Sequence, residues 1–512
     1  MLGGLTLLAS SAPRLEAAGG VVRVETGAIR GAVSESDPSV RVYRGIPYAA
    51  STAGPNRWRP PQPRPAWEDV LDCTKFGPAC PQAPYPADSL YFREPEPQSE
   101  DCLFLNIWTA GSDADRLPVM VWIHGGALTR GSGAVDVYDG TSLAKRGVVV
   151  VTLNYRLGPL GFFSHPELTA ESEHQASGNY GLLDQIAALQ WIQRNIAVFG
   201  GDPGCVTIFG ESAGALSVCG LVASPLAKGL FHRAIGQSGS AFRPMAPLKA
   251  AEAQGLKLAE ALEARTLDDL RALPVEKLLA AAPAASLNVD GWVFPQDART
   301  IFAQGKQNRV PTIVGSNADE MTTLAPVATR PKTKAALRAQ VALLLGDPAE
   351  VERLYPVDGD AHATGAYLNL MGDVTFTLPA RWWARWTAAA GDRAYLYHFT
   401  RVAPQAKSRN LGAFHAAEIA YVFDNLPQSG RSVEPPDRLL AKAMAERWVA
   451  FARTGDPNAD GLVQWPPYDA ETEPYMDFGE PVVARQHLRK EKLDLLEKML
   501  EKRRPASAQG GP

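Results

Sequence analysis

Residues 205–220, "CVTIFGESAGALSVCG", set Ser212 midway between Gly210 and Gly214, where an apolar β-rich run gives way to a helix-compatible one. A sharp strand-to-helix turn strains the residue at its apex and crowds the positions two before and two after it. Glycine there removes the colliding Cβ atoms. Such a turn lifts the serine hydroxyl clear of the sheet and brings the Ala213 N–H to a helix start, where it can stabilise a negative oxygen. The chemistry is nucleophilic. A serine hydroxyl needs a base to take its proton, and the base needs an acid to orient it.

Eight histidines are available. In this arrangement the chain order is serine, acid, histidine. His415, in "NLGAFHAAEIAYVF", meets that order from a loop that opens onto a helix, and His398, inside an apolar strand, is its rival. The acid must lie between. "IVGSNADEMTTL" ends a strand in a loop carrying Asp319 and Glu320, and spacing alone leaves both open, with Asp373 as a third choice. Upstream, "VWIHGGALTRGSG" follows a buried strand with a glycine-rich loop. Free N–H groups of Gly125, Gly126 and Ala127 can there join Ala213 around a developing oxyanion.

These residues need elements to hold them. "LPVMVWIHGG" and "GVVVVTLNYR" are short apolar runs bounded by turns, as strands buried on both faces are. "GLLDQIAALQWIQRNIAVFGG" has helical apolar spacing and ends at Gly200 and Gly201, a C-cap. "LLAKAMAERWVAFARTG" predicts a helix closed by Gly455, and "AYLYHFT" a late strand. Strand and helix alternate, which predicts an α/β fold: a large, mostly parallel central sheet flanked by helices. "VVRVETGAIRGAV" alternates as a small N-terminal antiparallel sheet would. The expected organisation is a signal-like or disordered segment over residues 1–20, one catalytic domain over 21–485, and a charged helical tail over 486–512. In that tail Leu493, Leu496 and Leu500 share a face.

Of the 512 residues, 46 % are hydrophobic and 21 % charged, with a net charge of −4, which offers no general attraction to nucleic acid or anionic lipid. No apolar run in the body of the chain is long enough for a membrane span. Leu2 to Ala9 followed by small residues reads as the end of a secretory signal, so export is expected, with the cytoplasm as the alternative. The five cysteines form no CxxC or Cys/His cluster, so no metal is expected. Cys205 and Cys219 read as buried thiols.

In order along residues 21–480, "YRGIPYA", "SEDCLFLNIW", "VMVWIHGGAL", "NYRLGPLGFF", "VTIFGESAGA", "GSNADE", "FHAAEIAYVF" and "FARTGDPN" resemble the type-B carboxylesterases. This is the α/β-hydrolase branch that includes cholinesterases and bacterial para-nitrobenzyl esterases. The resemblance implies a glutamate as triad acid, hence Glu320, and His415 as base. It implies a disulfide between Cys102 of "EDCL" and Cys80 of "CPQ", second carboxylates at Glu211 and Glu418, and a place for Ser238 in their network. Leu128 stands where an aromatic residue is usual, which implies a differently shaped acyl pocket, and "ADEM" replaces the commoner "DEG".

The expectation is therefore a carboxylic-ester hydrolase that needs no cofactor, acts on a small-molecule ester and leaves its oligomeric state open. A non-catalytic binding protein on the same scaffold is the competing class. A thioesterase, amidase or lactonase would use the same triad.

Overall fold

A computed structural model describes residues 20–427 and 432–503. The signal-like segment, but for Gly20, and the last nine residues of the tail lie outside the described residues. Alternation along the apolar runs builds the core. In "LPVMVWI", Val119, Val121 and Ile123 enter one hydrophobic cluster while Met120 and Trp122 enter another on the opposite face. The same division holds for Val149, Val151 and Leu153 against Val150. Strands with apolar side chains on both faces must be covered on both sides.

Among the described residues the main sheet has eleven strands. In chain order they are β1 (Ala32–Val33), β2 (Arg41–Pro47), β3 (Phe104–Thr109), β4 (Leu117–Ile123), β5 (Val149–Leu153) and β6 (Gly201–Glu211). Then follow β7 (Arg233–Gln237), β8 (Thr312–Asn317), β9 (Ala394–Phe399), β10 (Pro474–Phe478) and β11 (Val482–Gln486). Their spatial order is β11-β10-β9-β8-β7-β6-β4-β5-β3-β2-β1. Strands β10 to β5 in that order run parallel, and antiparallel strands close both edges. The small N-terminal sheet is mixed: Val21–Val24 and Gly27–Arg30 pair antiparallel as expected, but Leu71–Asp72 adds a third strand in parallel.

Helix α1 (Tyr180–Asn195) tightens into a 3-10 turn over Ile196–Phe199 before Gly200 ends it in the left-handed region, φ 83°. Helix α2 (Ala213–Ala223) follows β6 directly and is buried on nearly every side, as a helix apolar all round must be. Helix α3 (Pro435–Thr454), closed by Gly455 at φ 74°, covers the opposite face with Met444, Trp448 and Phe451. Helix α4 (Lys490–Lys502) buries Leu493 and Leu496 as the spacing predicts. Its third fully buried residue is Met499, and Leu500 is only half-buried. Salt bridges from Arg381 to Asp494 and Arg385 to Glu497 tie α4 to the body. Among the described residues no helix is long and apolar enough to cross a membrane.

Candidate active site

The C-terminal ends of the parallel strands are where open α/β sheets present their loops, and the chemistry-bearing residues gather there. Ser212 joins β6 to α2 with φ 57° and ψ −119°, a backbone state that costs a non-glycine residue about 1–3 kcal/mol. Its N–H is held by the Gln237 carbonyl at 2.9 Å. The glycine spacing has a steric cause: a Cβ on Gly214 would lie 1.9 Å from the Ile123 carbonyl oxygen, and one on Gly210 would lie 2.6 Å from the same atom. The end of β4 is packed against both positions, so any larger residue would push the turn and the neighbouring loop apart.

His415 and Glu320 come together after β9 and β8. The His415 Nδ1 lies 2.6 Å from Glu320 Oε2, and Glu320 Oε1 accepts the Asn317 N–H at 2.7 Å. Asp319, one residue earlier, turns away and accepts the Ala413 N–H at 2.8 Å. Asp373 pairs with Arg489 at 2.6 Å, away from the imidazole. His398 lies buried within β9 beside Ser316 Oγ at 3.5 Å, burial holds its ring down at about 3, and it does not line the cavity that Ser212 lines. Of the candidates left open by spacing, only Glu320 and His415 meet.

Ser212, His415, Glu211, Gly125, Gly126 and Ala127 line one cavity of about 450 Å³. No hydrogen bond joins Ser212 Oγ to His415; Nε2 instead faces Glu211 Oε1 at 3.0 Å. Gly126 at φ 113° and Ala127 at φ 57° turn the loop after β4 beneath the serine. None of the Gly125, Gly126, Ala127 and Ala213 N–H groups donates to another protein group among the described residues. His124, stacked on Tyr155 at 4.5 Å, anchors this loop from below with Nδ1 2.8 Å from the Gly125 carbonyl oxygen. Leu128 is buried in the core and does not line the cavity, so the acyl-pocket change expected from it is not made by its side chain.

A serine on a strained turn, an imidazole–carboxylate pair and amides without protein acceptors among the described residues thus gather at one end of the sheet. A family model described as "Carboxylesterase family" matches residues 18–496. The chain belongs to the carboxylesterase family. Among relatives, the fumonisin B1 esterase of Sphingopyxis macrogoltabida is 39 % identical over 88 % of this chain and 86 % of its own. The para-nitrobenzyl esterase of Bacillus subtilis is 37 % identical over 88 % and 93 %. The solved structure of a Geobacillus stearothermophilus carboxylesterase superposes with a TM-score of 0.82 at 35 % identity, covering 93 % of this chain and 99 % of that one.

Around the His415–Glu320 pair of this carboxylesterase lies a second tier of carboxylates. Glu418 accepts from Asn317 Nδ2 at 2.6 Å and Gln237 Nε2 at 3.2 Å, and Trp448 Nε1 donates to Gln237 Oε1 at 3.1 Å. Burial pushes Glu418 up, and Glu320 adds to that. Burial likewise pushes Glu211 up to about 8, against the pull of His415. For His415 burial lowers the pKa, but Glu211 and then Glu320 outweigh it and raise the ring to about 9. Ser238 Oγ is buried with no protein partner, so its hydroxyl does not join this network as expected. Sequence reasoning named the carboxylates and missed Asn317 and Gln237, which bind Glu418, and Trp448, which holds Gln237. It also missed Tyr91, whose hydroxyl donates to the His415 carbonyl at 3.0 Å.

The expected disulfide is not formed. Cys80 and Cys102 are buried free thiols placed side by side, and the hydrogen bond with Cys80 and burial together push the Cys102 thiol well up. Cys80 Sγ accepts the Leu157 N–H at 3.2 Å. Cys219 is buried as expected, whereas Cys205 is half-buried at the start of β6.

Proposed function

We propose that Ser212 is the nucleophile of a carboxylic-ester hydrolase working by acyl-enzyme turnover. Ser212 Oγ attacks the ester carbonyl while His415 Nε2 takes its proton. The tetrahedral oxyanion is met by the Gly125, Gly126, Ala127 and Ala213 N–H groups, each such donor typically worth about 3 kcal/mol. The proton then passes from His415 to the departing alcohol oxygen, leaving an ester on Ser212. Water, deprotonated by the same imidazole, reverses the sequence and frees the acid. Glu320 keeps the proton of the neutral ring on Nδ1, so that Nε2 is the basic nitrogen, and stabilises the imidazolium. Before attack, Nε2, which lies 3.0 Å from Glu211 without a hydrogen bond, must take up the serine hydroxyl, and such catalytic bonds often form only when substrate is bound.

The observation that carries this reading is the 2.6 Å contact between His415 Nδ1 and Glu320 Oε2, with His415 lining the same cavity as Ser212. Activity of Ser212→Ala on a para-nitrophenyl ester tests it. A loss on the order of 10⁶ in kcat is expected; retention of wild-type turnover refutes it. The cellular reading is export, and the adjacent Cys80 and Cys102 support a bond between them in an oxidising compartment.

A further inference from the structure

Ester-binding cavities are mostly apolar with a few placed polar groups. The cavity that Ser212 lines fits that pattern in Val135, Val137 and Ile419, which are half-buried or buried. Its outer part differs. Three arginines, Arg93, Arg130 and Arg409, line it from three separate loops. Among the described residues none of the three forms an ion pair with a carboxylate, although arginines elsewhere in the chain are commonly paired. Arg93 and Arg409 are exposed, and Arg130 is half-buried.

Their remaining contacts leave donors free. Arg93 Nη1 donates only to the Phe92 carbonyl at 2.7 Å. Arg130 donates through Nε to the Ala83 carbonyl at 3.0 Å and lies over the Tyr85 ring at 5.4 Å, so both terminal nitrogens stay available. The charge of Arg93 reaches the Tyr85 and Tyr138 phenols, two other residues of the cavity wall. Glu211 is the only carboxylate lining the cavity among the described residues, and it sits at the base against His415. The result is a positive rim over an apolar shaft.

The geometry points to esters that carry a free carboxylate on the portion extending away from the scissile bond, bound at the mouth by Arg93, Arg130 and Arg409. Guanidinium forks match a carboxylate with two parallel hydrogen bonds, and a cluster of like charge at a low-dielectric opening steers anions inward. The apolar shaft takes the chain that joins the two groups. This inference rests on the esterase reading above and narrows its substrate class.

The test compares para-nitrophenyl hexanoate with mono-para-nitrophenyl adipate, which have acyl chains of the same length and differ in a terminal carboxylate. The readout is the ratio of kcat/KM for adipate over hexanoate, in wild type and in the Arg93→Gln/Arg409→Gln double variant. Both residues are exposed, so the variant keeps its fold, which its melting temperature checks. The ratio is expected to fall about tenfold in the double variant. In wild type, raising salt from about 0.02 M to about 0.5 M should depress the adipate rate several-fold more than the hexanoate rate. A ratio unchanged by both the substitution and salt overturns the inference while leaving the esterase reading intact. Failure to hydrolyse either ester overturns the esterase reading itself.

Discussion

Replacing Glu211 with glutamine removes a charge from one side of His415 and keeps the side chain's shape. The imidazole is flanked by two carboxylates, Glu320 at 2.6 Å on Nδ1 and Glu211 at 3.0 Å on Nε2. A unit charge pair at that second distance attracts by about 5.5 kcal/mol at an effective dielectric of about 20. Burial opposes the imidazolium, and Glu211, itself pushed up to about 8, carries only part of a charge near neutrality. The balance leaves His415 raised to about 9 from an ordinary 6.5, with Glu211 ahead of Glu320 among the charges that raise it. Glu211→Gln should therefore lower the imidazole pKa by at least about one pH unit, or about 1.4 kcal/mol.

In the proposed mechanism His415 is the base and must be neutral, so kcat/KM for a neutral para-nitrophenyl ester should rise with pH through the free enzyme's imidazole pKa. Wild type should show that limb on the alkaline side of neutrality, and Glu211→Gln should move its midpoint toward acid. The assay is kcat/KM from about pH 5 to about pH 10 at fixed ionic strength. A midpoint that stays put, or moves upward, would refute the electrostatic account of His415. Stability gives an independent check. Both Glu211 and His415 have folded-state pKa values raised above their ordinary ones, so their contribution is complete below about 4.5 and 6.5 respectively. It is lost as pH rises through about 8 and 9. Melting temperature should fall from mildly acid to alkaline pH in wild type, and less steeply in Glu211→Gln.

Glu320→Gln should retain the fold and lower kcat by roughly 10³–10⁴, because a neutral amide no longer fixes the tautomer that leaves Nε2 basic; a change under tenfold would remove Glu320 from the acid role. Gly126→Ala would place a Cβ 2.1 Å from the Arg130 carbonyl oxygen at φ 113° and displace the donor loop. It should cost kcat about 10²–10³ with less effect on KM, and a variant that loses neither would show that the loop does not bind the oxyanion. Protein recovered from an oxidising compartment should show two fewer free thiols than reduced protein, mapped by alkylation to Cys80 and Cys102. Five free cysteines there would refute the bond.

What could be read from the chain follows from how local each requirement is. The Ser212 turn was legible because Gly210 and Gly214 answer a clash that any such turn creates, here with the Ile123 carbonyl. The central strands were legible because Val119 to Ile123 must be covered on both faces. The acid was not legible from spacing. Asp319 and Glu320 are neighbours, and their fates are decided by the loop carrying Ala413 and His415, about a hundred residues further on. The resemblance to a glutamate-using family made that choice. Gln237, Asn317 and Trp448 act on Glu418 from three different elements, and no sequence period connects them. The rim arginines were silent for the same reason. In α4 helical spacing placed Leu493 and Leu496 correctly, but packing against the body chose Met499 over Leu500, a rotation no pattern of leucines encodes.

The most direct test of the central claim is labelling with a fluorophosphonate, read by intact mass and peptide mapping alongside residual hydrolysis. One phosphonyl adduct per chain on Ser212, with activity lost in proportion to labelling, is the predicted result. Full inactivation with the adduct on another residue, or an adduct on Ser212 in a protein that still turns over ester, would contradict it.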